Sequence, residues 1–248
     1  MTRHLLVIGG QRCGTTYLYA ILEAHPDIAM ARPARPEPKV FMSDELTARG
    51  LDWYRATYFA HATTESILGE KSTSYLEDGE AAKRAASVLG AAEIVVQLRD
   101  PVARAVSNWR FSAGHGLEER PLGQAIDENL QGSRDWDRSV SSVSPFAYIE
   151  RGRYVDYLEP WYESFPGTVH VRFLEDVIAH QATAGDLYDA LGVDASFQPP
   201  DEGRPVNEST GAAPDFDHEL VRRLRDYFRE SDARLRQRLG GPLPWPED

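Results

Sequence analysis

The chain has 248 residues, 42% of them hydrophobic, and a formal net charge of −12. That is enough chain for one substantial core, and no low-complexity tract or composition break argues for a second, so a single domain over residues 1–248 is expected. An acidic balance excludes the basic face that non-specific nucleic-acid binding needs, no apolar stretch approaches the roughly 20 residues of a membrane span, and the single cysteine, Cys13, can form no internal disulfide, which together point to a soluble protein of a reducing cytoplasm.

In chain order, "HLLVIGG" (residues 4–10) reads as a short buried strand ending in glycines. The run after it places Leu18, Ile21 and Leu22 at helical spacing until Pro26 stops it. The unit is strand, tight loop, helix. "ARPARPEPKVFM" (31–42), with Pro33, Pro36 and Pro38, reads as an extended loop running to Phe41. "RGLDWYRATYF" (49–59) predicts a short helix and "ESILGEKSTSYL" (65–76) a strand tip and turn. A helix from about Glu80 to Val88 leads to "EIVVQLRDPVARAVSNWRF" (93–111), a second strand-to-helix junction whose Ile94–Leu98 run has the β-branched richness of a buried parallel strand.

From about Gly114 to Ser144 the chain is polar and without clear period, and is read as a mobile loop region and candidate lid. "RGRYVDYLEPWYESFP" (151–166) puts Tyr154, Leu158, Trp161 and Phe165 on one helical face, and "TVHVRFLEDV" (168–177) reads as a strand and a turn. Asp217 to Leu239 spaces Leu220, Leu224, Tyr227, Phe228 and Leu235 as an amphipathic helix with an arginine-rich outer face. Strands alternating with helices predict an α/β, P-loop-like three-layer fold with a central, mostly parallel sheet flanked by helices.

The loop "GGQRCGTT" (9–16) has the glycine spacing of a phosphate loop, and Thr16 supplies the hydroxyl, but Thr15 stands where nucleoside-triphosphate enzymes carry a lysine. At such a helix N-terminus, N–H groups without intrahelical partners and the helix dipole attract an anion. Here the cation comes earlier, at Arg12, and a planar guanidinium with two threonines suits a terminal group held without a metal. The plainer reading is an ordinary strand-to-helix turn. At the second junction Asp100 and Pro101 form an N-cap and first helical residue directly after Arg99. Ser107 lies about two turns in, on a face that looks back toward Arg99, and such a pair grips a second phosphate. The alternative is an Arg99–Asp100 pair with Ser107 as packing. His25, His61, His115 and His170 follow no metal-ligand spacing, and His115 has acceptor-side interest only through its place in the candidate lid. Cys13 reads as a small loop residue rather than a nucleophile. Taken alone, Glu37 is a solvated loop carboxylate and Lys71 a surface lysine.

Two phosphate sites on neighbouring strand ends, one with an arginine in place of the P-loop lysine, resemble the sulfotransferases that use 3′-phosphoadenosine 5′-phosphosulfate (PAPS). "GGQRCGTTYLYAILEAHP" is similar to their 5′-phosphosulfate loop and "VVQLRDPVARAVSNW" to their 3′-phosphate strand and helix. "EPKVF", "GLDWY" and "GEKSTSYL" look like elements of the carbohydrate, heparan-sulfate-type and bacterial branches, and "RGRYVDYLEPWYESFP" and "VRFLEDV" also fit, so the resemblance runs in consistent order over roughly residues 4–210. It implies that Arg12, Cys13, Gly14, Thr15 and Thr16 wrap the 5′-phosphosulfate, that Arg99 and Ser107 hold the 3′-phosphate, and that Tyr154, with Arg153 and Gly152, closes over the nucleotide. It implies Glu37 as general base, with Lys71 meeting the substrate or the transferring sulfonate, Arg12 a further catalytic cation, and no metal. The product is adenosine 3′,5′-bisphosphate and the acceptor a hydroxyl or amine of a small molecule, natural product or glycoconjugate. An aromatic set, Phe41, Trp53, Tyr54, Tyr58, Tyr75, Trp109 and Phe111, reads as pocket lining or equally as core.

The pattern departs from the family at Arg12, where lysine is usual, at Pro36, where a lysine often precedes the glutamate, and at Ala103, which replaces a common acidic residue. A guanidinium does not readily give up a proton, so leaving-group stabilisation by Arg12 is electrostatic. Two rivals stand beside this reading. An ATP-dependent P-loop kinase predicts a lysine at position 15 and an acidic metal-holding strand end. A non-catalytic nucleotide-binding module needs neither Glu37 nor Lys71.

Overall fold

Leu5 to Ile8 contain no polar residue, and a run of that kind suits a strand covered on both faces. A computed structural model, which describes residues 2–137, 139, 143–200 and 217–247, places it there. The segment "VNES" (206–209), whose sequence suits the border of a nucleotide pocket, lies outside the described residues. Strands β1 (Arg3–Gly9), β2 (Ile28–Met30), β3 (Ile67–Lys71), β4 (Glu93–Leu98) and β5 (Val169–Phe173) form an all-parallel sheet in the order β2-β3-β1-β4-β5. Around it run α1 (Thr15–Ala24), α2 (Asp44–Thr47), α3 (Gly50–Tyr58), α4 (Gly79–Leu89), α5 (Pro101–Gly114), α6 (Leu122–Asn129), α7 (Tyr154–Ser164), α8 (Leu174–Ile178), α9 (Ala184–Ala190) and α10 (His218–Leu239). The α/β architecture with a parallel sheet flanked by helices is as expected. The chain folds as two compact units, Met1–Leu98 with Tyr157–Asn207, and Arg99–Asp156 with Glu208–Asp248.

The first unit holds the sheet. On one face Leu5, Val7, Ile67 and Val95 pack under Leu18, Ile21 and Leu22 of α1 and Leu187 and Tyr188 of α9. On the other, Leu6 and Ile8 are fully buried, and Glu70 of β3, in register with Leu6, meets Tyr54 of α3. Strand β2 and helix α9 were not foreseen. Three residues are too few for an alternating pattern to show, and α9 is announced by its Thr183 capping box rather than by a long apolar period. The turn expected after β5 is a short helix, α8.

The second unit packs Val102 and Ala105 of α5, Leu122, Ala125 and Ile126 of α6, Tyr148, Ile149, and Leu220, Leu224 and Phe228 of α10 into one apolar cluster. This corrects the reading of residues 114–144 as loop over part of that span. Residues 122–129 are a helix whose Leu122, Ala125 and Ile126 are buried, and Asn129 accepts from the backbone N–H groups of Tyr148 and Ile149 at 2.7 and 3.0 Å. The amphipathic α10 has the expected span, but its arginines are not all outward: Arg225 is buried and forms two 2.7 Å bonds to Asp100.

Asp232 of α10 is also buried and accepts from Trp245 Nε1 at 2.9 Å. Burial, the largest influence, raises its carboxyl from 3.8 to about 6. The folded state therefore binds this proton more tightly than the unfolded state. The associated stability is complete below about pH 4 and is lost as pH rises through about 6. Asp232→Asn, which keeps an oxygen for Trp245, is expected to stabilise the protein by about 1–2 kcal/mol at pH 7.5 and by much less at pH 4. Urea unfolding of both proteins at both pH values checks this; an equal difference at the two pH values would remove Asp232 as the cause.

Candidate functional site

In an open parallel sheet, ligand sites gather at the carboxyl ends of the strands. β1 ends at Gly9 in the loop to α1. That loop is held by β4 through two bonds: Gly10 N donates to the Gln97 backbone oxygen at 2.7 Å, and Gln97 Nε2 donates to the Cys13 oxygen at 2.6 Å. Gly14 is the N-cap of α1 in the left-handed region at φ 80, where a Cβ would lie 2.7 Å from Gln97 Nε2 and 2.8 Å from a Leu174 methyl. Glycine is required there on both counts. Having no side chain, Gly14 supplies no cap bond, so the N-terminus of this ten-residue helix has no side-chain acceptor at its cap. Arg12 is half-exposed and also left-handed, at φ 68, an uncommon setting for a non-glycine residue. Cys13 is fully buried, Thr15 largely so, and Thr16 half-buried. The five loop residues named from the sequence thus form one continuous turn onto the helix.

Strand β3 runs beside β1, with Lys71 in register with Val7. Lys71 Nζ lies 2.6 Å from Glu37 Oε1, and the two side chains are 10% and 15% exposed. Thr73 completes the hold: its N–H donates to Glu37 Oε2 at 3.0 Å, and its hydroxyl lies 3.3 and 3.1 Å from the two carboxylate oxygens. Glu37 is therefore neither a freely solvated carboxylate nor buried without a counter-charge. It is an acceptor charge-paired to a lysine, with part of its surface open to a reactant. Beneath it Glu70, fully buried, accepts from Tyr54, Ser72 and Tyr75 hydroxyls at 2.6 to 2.7 Å. Of the aromatic set, Phe41, Tyr54 and Tyr75 are core, whereas Phe111 is exposed.

In the second unit, Asp100 caps α5 by accepting from Val102 N at 2.9 Å, and Pro101 takes the first helical position. Asp100 pairs with Arg225, so the residue offered as an alternative partner for Arg99 has a cation of its own. The Arg99 carbonyl accepts from the Tyr154 hydroxyl at 2.7 Å, and Ser107 is buried within α5. Tyr154 is fully buried, with its ring 6.4 Å from that of Trp245, so its observed contact with this region runs through Arg99 rather than through an open ring face. Arg153 donates to Asp156 at 2.7 Å and lies over the Tyr227 ring. A Cβ at Gly152 would meet Phe228 and Pro101 at 2.8 Å, so glycine here lets α10 and the start of α5 close on one another.

Comparison with known proteins decides the family. Residues 2–183 match the family described as the sulfotransferase domain. The chain belongs to the sulfotransferase family. It is 39% identical over 164 residues to the human bifunctional heparan sulfate N-deacetylase/N-sulfotransferase 3, a match covering 65% of this chain and 19% of that protein. It is 28% identical over 263 residues to the mouse heparan sulfate glucosamine 3-O-sulfotransferase 3B1, covering 97% of this chain and 64% of that one. The chain thus spans less than two thirds of either relative. In fold it is similar to a sulfotransferase from Alicyclobacillus acidocaldarius, with a TM-score of 0.76, 22% identity and 98% of each chain covered.

Several residues that shape this candidate site carry little or no local mark in the sequence. Gln97 interrupts the apolar run "EIVVQL", and a polar side chain in a strand buried on both faces must find a partner; that signal was available. Glu70 likewise follows "ILG" in a buried strand. Thr73 and Arg225 carry no such local mark. Among the described residues no helix is long and apolar enough to cross a membrane.

The Asp100 geometry separates two contributions by substitution. Asp100→Asn keeps a competent cap but leaves Arg225 without its charge partner, with an expected loss of roughly 3 kcal/mol. Asp100→Ala removes the cap as well and is expected to lose about 1 kcal/mol more. Equal losses in denaturant unfolding would mean that Asp100 contributes nothing as a cap.

Proposed function

We propose that the chain transfers the sulfonate group of PAPS to a hydroxyl or amine of a carbohydrate or small-molecule acceptor. The observation that carries the reading is Glu37 held 2.6 Å from Lys71 on the strand next to the one that runs into the phosphate loop. An acidic group set to take a proton and a cation set to meet an anion stand at one sheet edge. The residues suit the donor: the loop from Arg12 to Thr16 offers a guanidinium, hydroxyls and the uncapped start of α1 to the 5′-phosphosulfate. In the second unit, Arg99 and Ser107 take the 3′-phosphate, while Tyr154 acts on the nucleotide through the Arg99 carbonyl, with Gly152 and Arg153 shaping the chain before it.

In the proposed step the acceptor oxygen or nitrogen bonds to sulfur as the bond between sulfur and the 5′-phosphate oxygen breaks. The acceptor's proton passes to Glu37. Adenosine 3′,5′-bisphosphate leaves with the electron pair, its growing charge met by Arg12, Lys71 and the loop N–H groups. Arg12 stabilises that charge without donating a proton. A carbohydrate acceptor is favoured by the two relatives whose names refer to heparan sulfate, and a cytoplasmic setting by the single, buried cysteine.

Calorimetry with adenosine 3′,5′-bisphosphate and with ADP, in the absence of Mg²⁺, tests the donor. Selective binding of the bisphosphate that Arg99→Ala abolishes is expected. Preference for ADP once Mg²⁺ is added would return the loop to the nucleoside-triphosphate enzymes. For the base, Glu37→Gln is expected to bind the bisphosphate normally and to lose at least about 100-fold in kcat, measured as transfer from labelled PAPS to a heparosan oligosaccharide. Near-normal turnover by that variant would refute the role of Glu37.

A further inference from the structure

Glu37 sits in a segment with no helix or strand of its own until the single turn at Val40–Met42, and general-base catalysis needs a carboxylate in a fixed place. Two residues beyond it, Lys39 is left-handed at φ 52, a conformation that persists in a non-glycine residue only where the surroundings impose it. The surroundings in question are two hydroxyls. Lys39 N–H donates to Ser72 Oγ at 2.9 Å, and Phe41 N–H donates to the Tyr75 hydroxyl at 3.1 Å. Each hydroxyl passes its own proton to the same carboxylate oxygen, Glu70 Oε1, at 2.6 and 2.7 Å, while Tyr54 donates to Oε2 at 2.6 Å.

We infer that Glu70 is a positioning residue for Glu37, acting through Ser72 and Tyr75 to fix the backbone of residues 39–41; this rests on the proposed role of Glu37 as base. The argument is one of donor direction. A serine or tyrosine hydroxyl has one proton and two lone pairs. Because Glu70 accepts both protons, both hydroxyls must turn their lone pairs outward, and those lone pairs receive the Lys39 and Phe41 N–H groups. The carboxylate takes all three protons, those of Ser72 and Tyr75 at Oε1 and that of Tyr54 at Oε2, whereas an apolar side chain of similar size takes none. The chain of bonds is short and buried: Glu70, Ser72 and Tyr75 are each fully buried. Burial, and then the nearby Glu70 carboxyl, push the Tyr75 hydroxyl well above its ordinary range, as they do that of Tyr54, so both remain proton donors. Ser72 also ties the network to the phosphate-loop strand, its N–H donating to the Val7 oxygen at 3.1 Å. Segment 37–41 is thereby held at Glu37 by Lys71 and Thr73, at Lys39 by Ser72 and at Phe41 by Tyr75.

The composition supplies a direct readout, because the chain has only three lysines, Lys39, Lys71 and Lys83. The full chain labelled with [15N]lysine gives three backbone amides, assigned by single lysine-to-arginine substitutions. In Glu70→Leu, which removes the acceptor shared by Ser72 and Tyr75, the Lys39 amide is expected to exchange with solvent at least tenfold faster, while that of Lys83, in α4, is unchanged and the affinity for adenosine 3′,5′-bisphosphate stays within about twofold. Transfer from labelled PAPS to a heparosan oligosaccharide is expected to fall at least tenfold in kcat with the donor KM unchanged, and Glu70→Asp, which keeps the double acceptor, to recover part of it. A Lys39 amide as slow in Glu70→Leu as in the wild type would overturn the inference. Should Glu70→Leu fail to fold, Ser72→Ala removes one link and leaves Glu70 in place; a lowered kcat with unchanged nucleotide affinity supports the chain of bonds, and an unchanged kcat overturns it. If the wild type itself transfers nothing, the proposed function fails, and the Lys39 exchange rate still decides whether Glu70 fixes the segment.

Discussion

β1 is the constraint on which the rest of the first unit depends. A strand whose residues from Leu5 to Ile8 are all buried needs cover on both faces and a partner on both edges, and β3 and β4 supply the edges. The partners do more than close the ladder. Because both run parallel to β1, all three strands release their chains at the same edge. β1 opens into the glycine loop before α1, β3 delivers Lys71 to Glu37, and β4 holds that loop through Gln97. The gathering of chemistry at one edge follows from parallel pairing.

What holds the edge in shape is a set of buried polar side chains. Gln97 lies in a strand whose other residues from Ile94 to Leu98 are apolar and buried, and its amide offsets the burial by bonding the Cys13 carbonyl, fixing a loop that has little regular structure of its own. Glu70 does the corresponding service for the segment that carries Glu37. In the second unit Arg225 and Asp100 perform a similar task beside Arg99. Gln97 and Glu70 each break the apolar pattern of a buried strand, and each lies next to a residue of the candidate site. Breaches of local pattern are expected to concentrate where function is built.

That explains how much of the protein was legible in its sequence. The strand-to-helix junctions after β1 and β4 could be read because glycine spacing, a capping aspartate and a proline are local devices that act over a few residues. α7 and α10 could be read because a long apolar stripe repeats. The helix α6 was missed because its apolar face is only Leu122, Ala125 and Ile126, spread across polar neighbours; that stripe is too short to show as a period, although the fold buries it. Arg225 looks like one more outward arginine of α10 until Asp100, 125 positions earlier in the chain, is found opposite it. The order of motifs identified the family, but the support of each motif lies in pairings that sequence spacing does not record.

Glu37 and Glu70 show why the two acidic residues of this edge cannot exchange tasks. Glu37 keeps some exposure, and its nearest partner is a cation, so a carboxylate oxygen stands at the surface beside its counter-charge. Glu70 is sealed from solvent, and burial raises its carboxyl, with the hydroxyls of Ser72, Tyr54 and Tyr75 pulling it back and the charge of Glu37 adding to the rise. A proton taken up at Glu70 would have no path to a reactant, and would put a donor where two hydroxyls already donate. Environment, rather than side-chain identity, therefore separates the two: one carboxylate has a lysine and an opening, and the other is closed in by three hydroxyls.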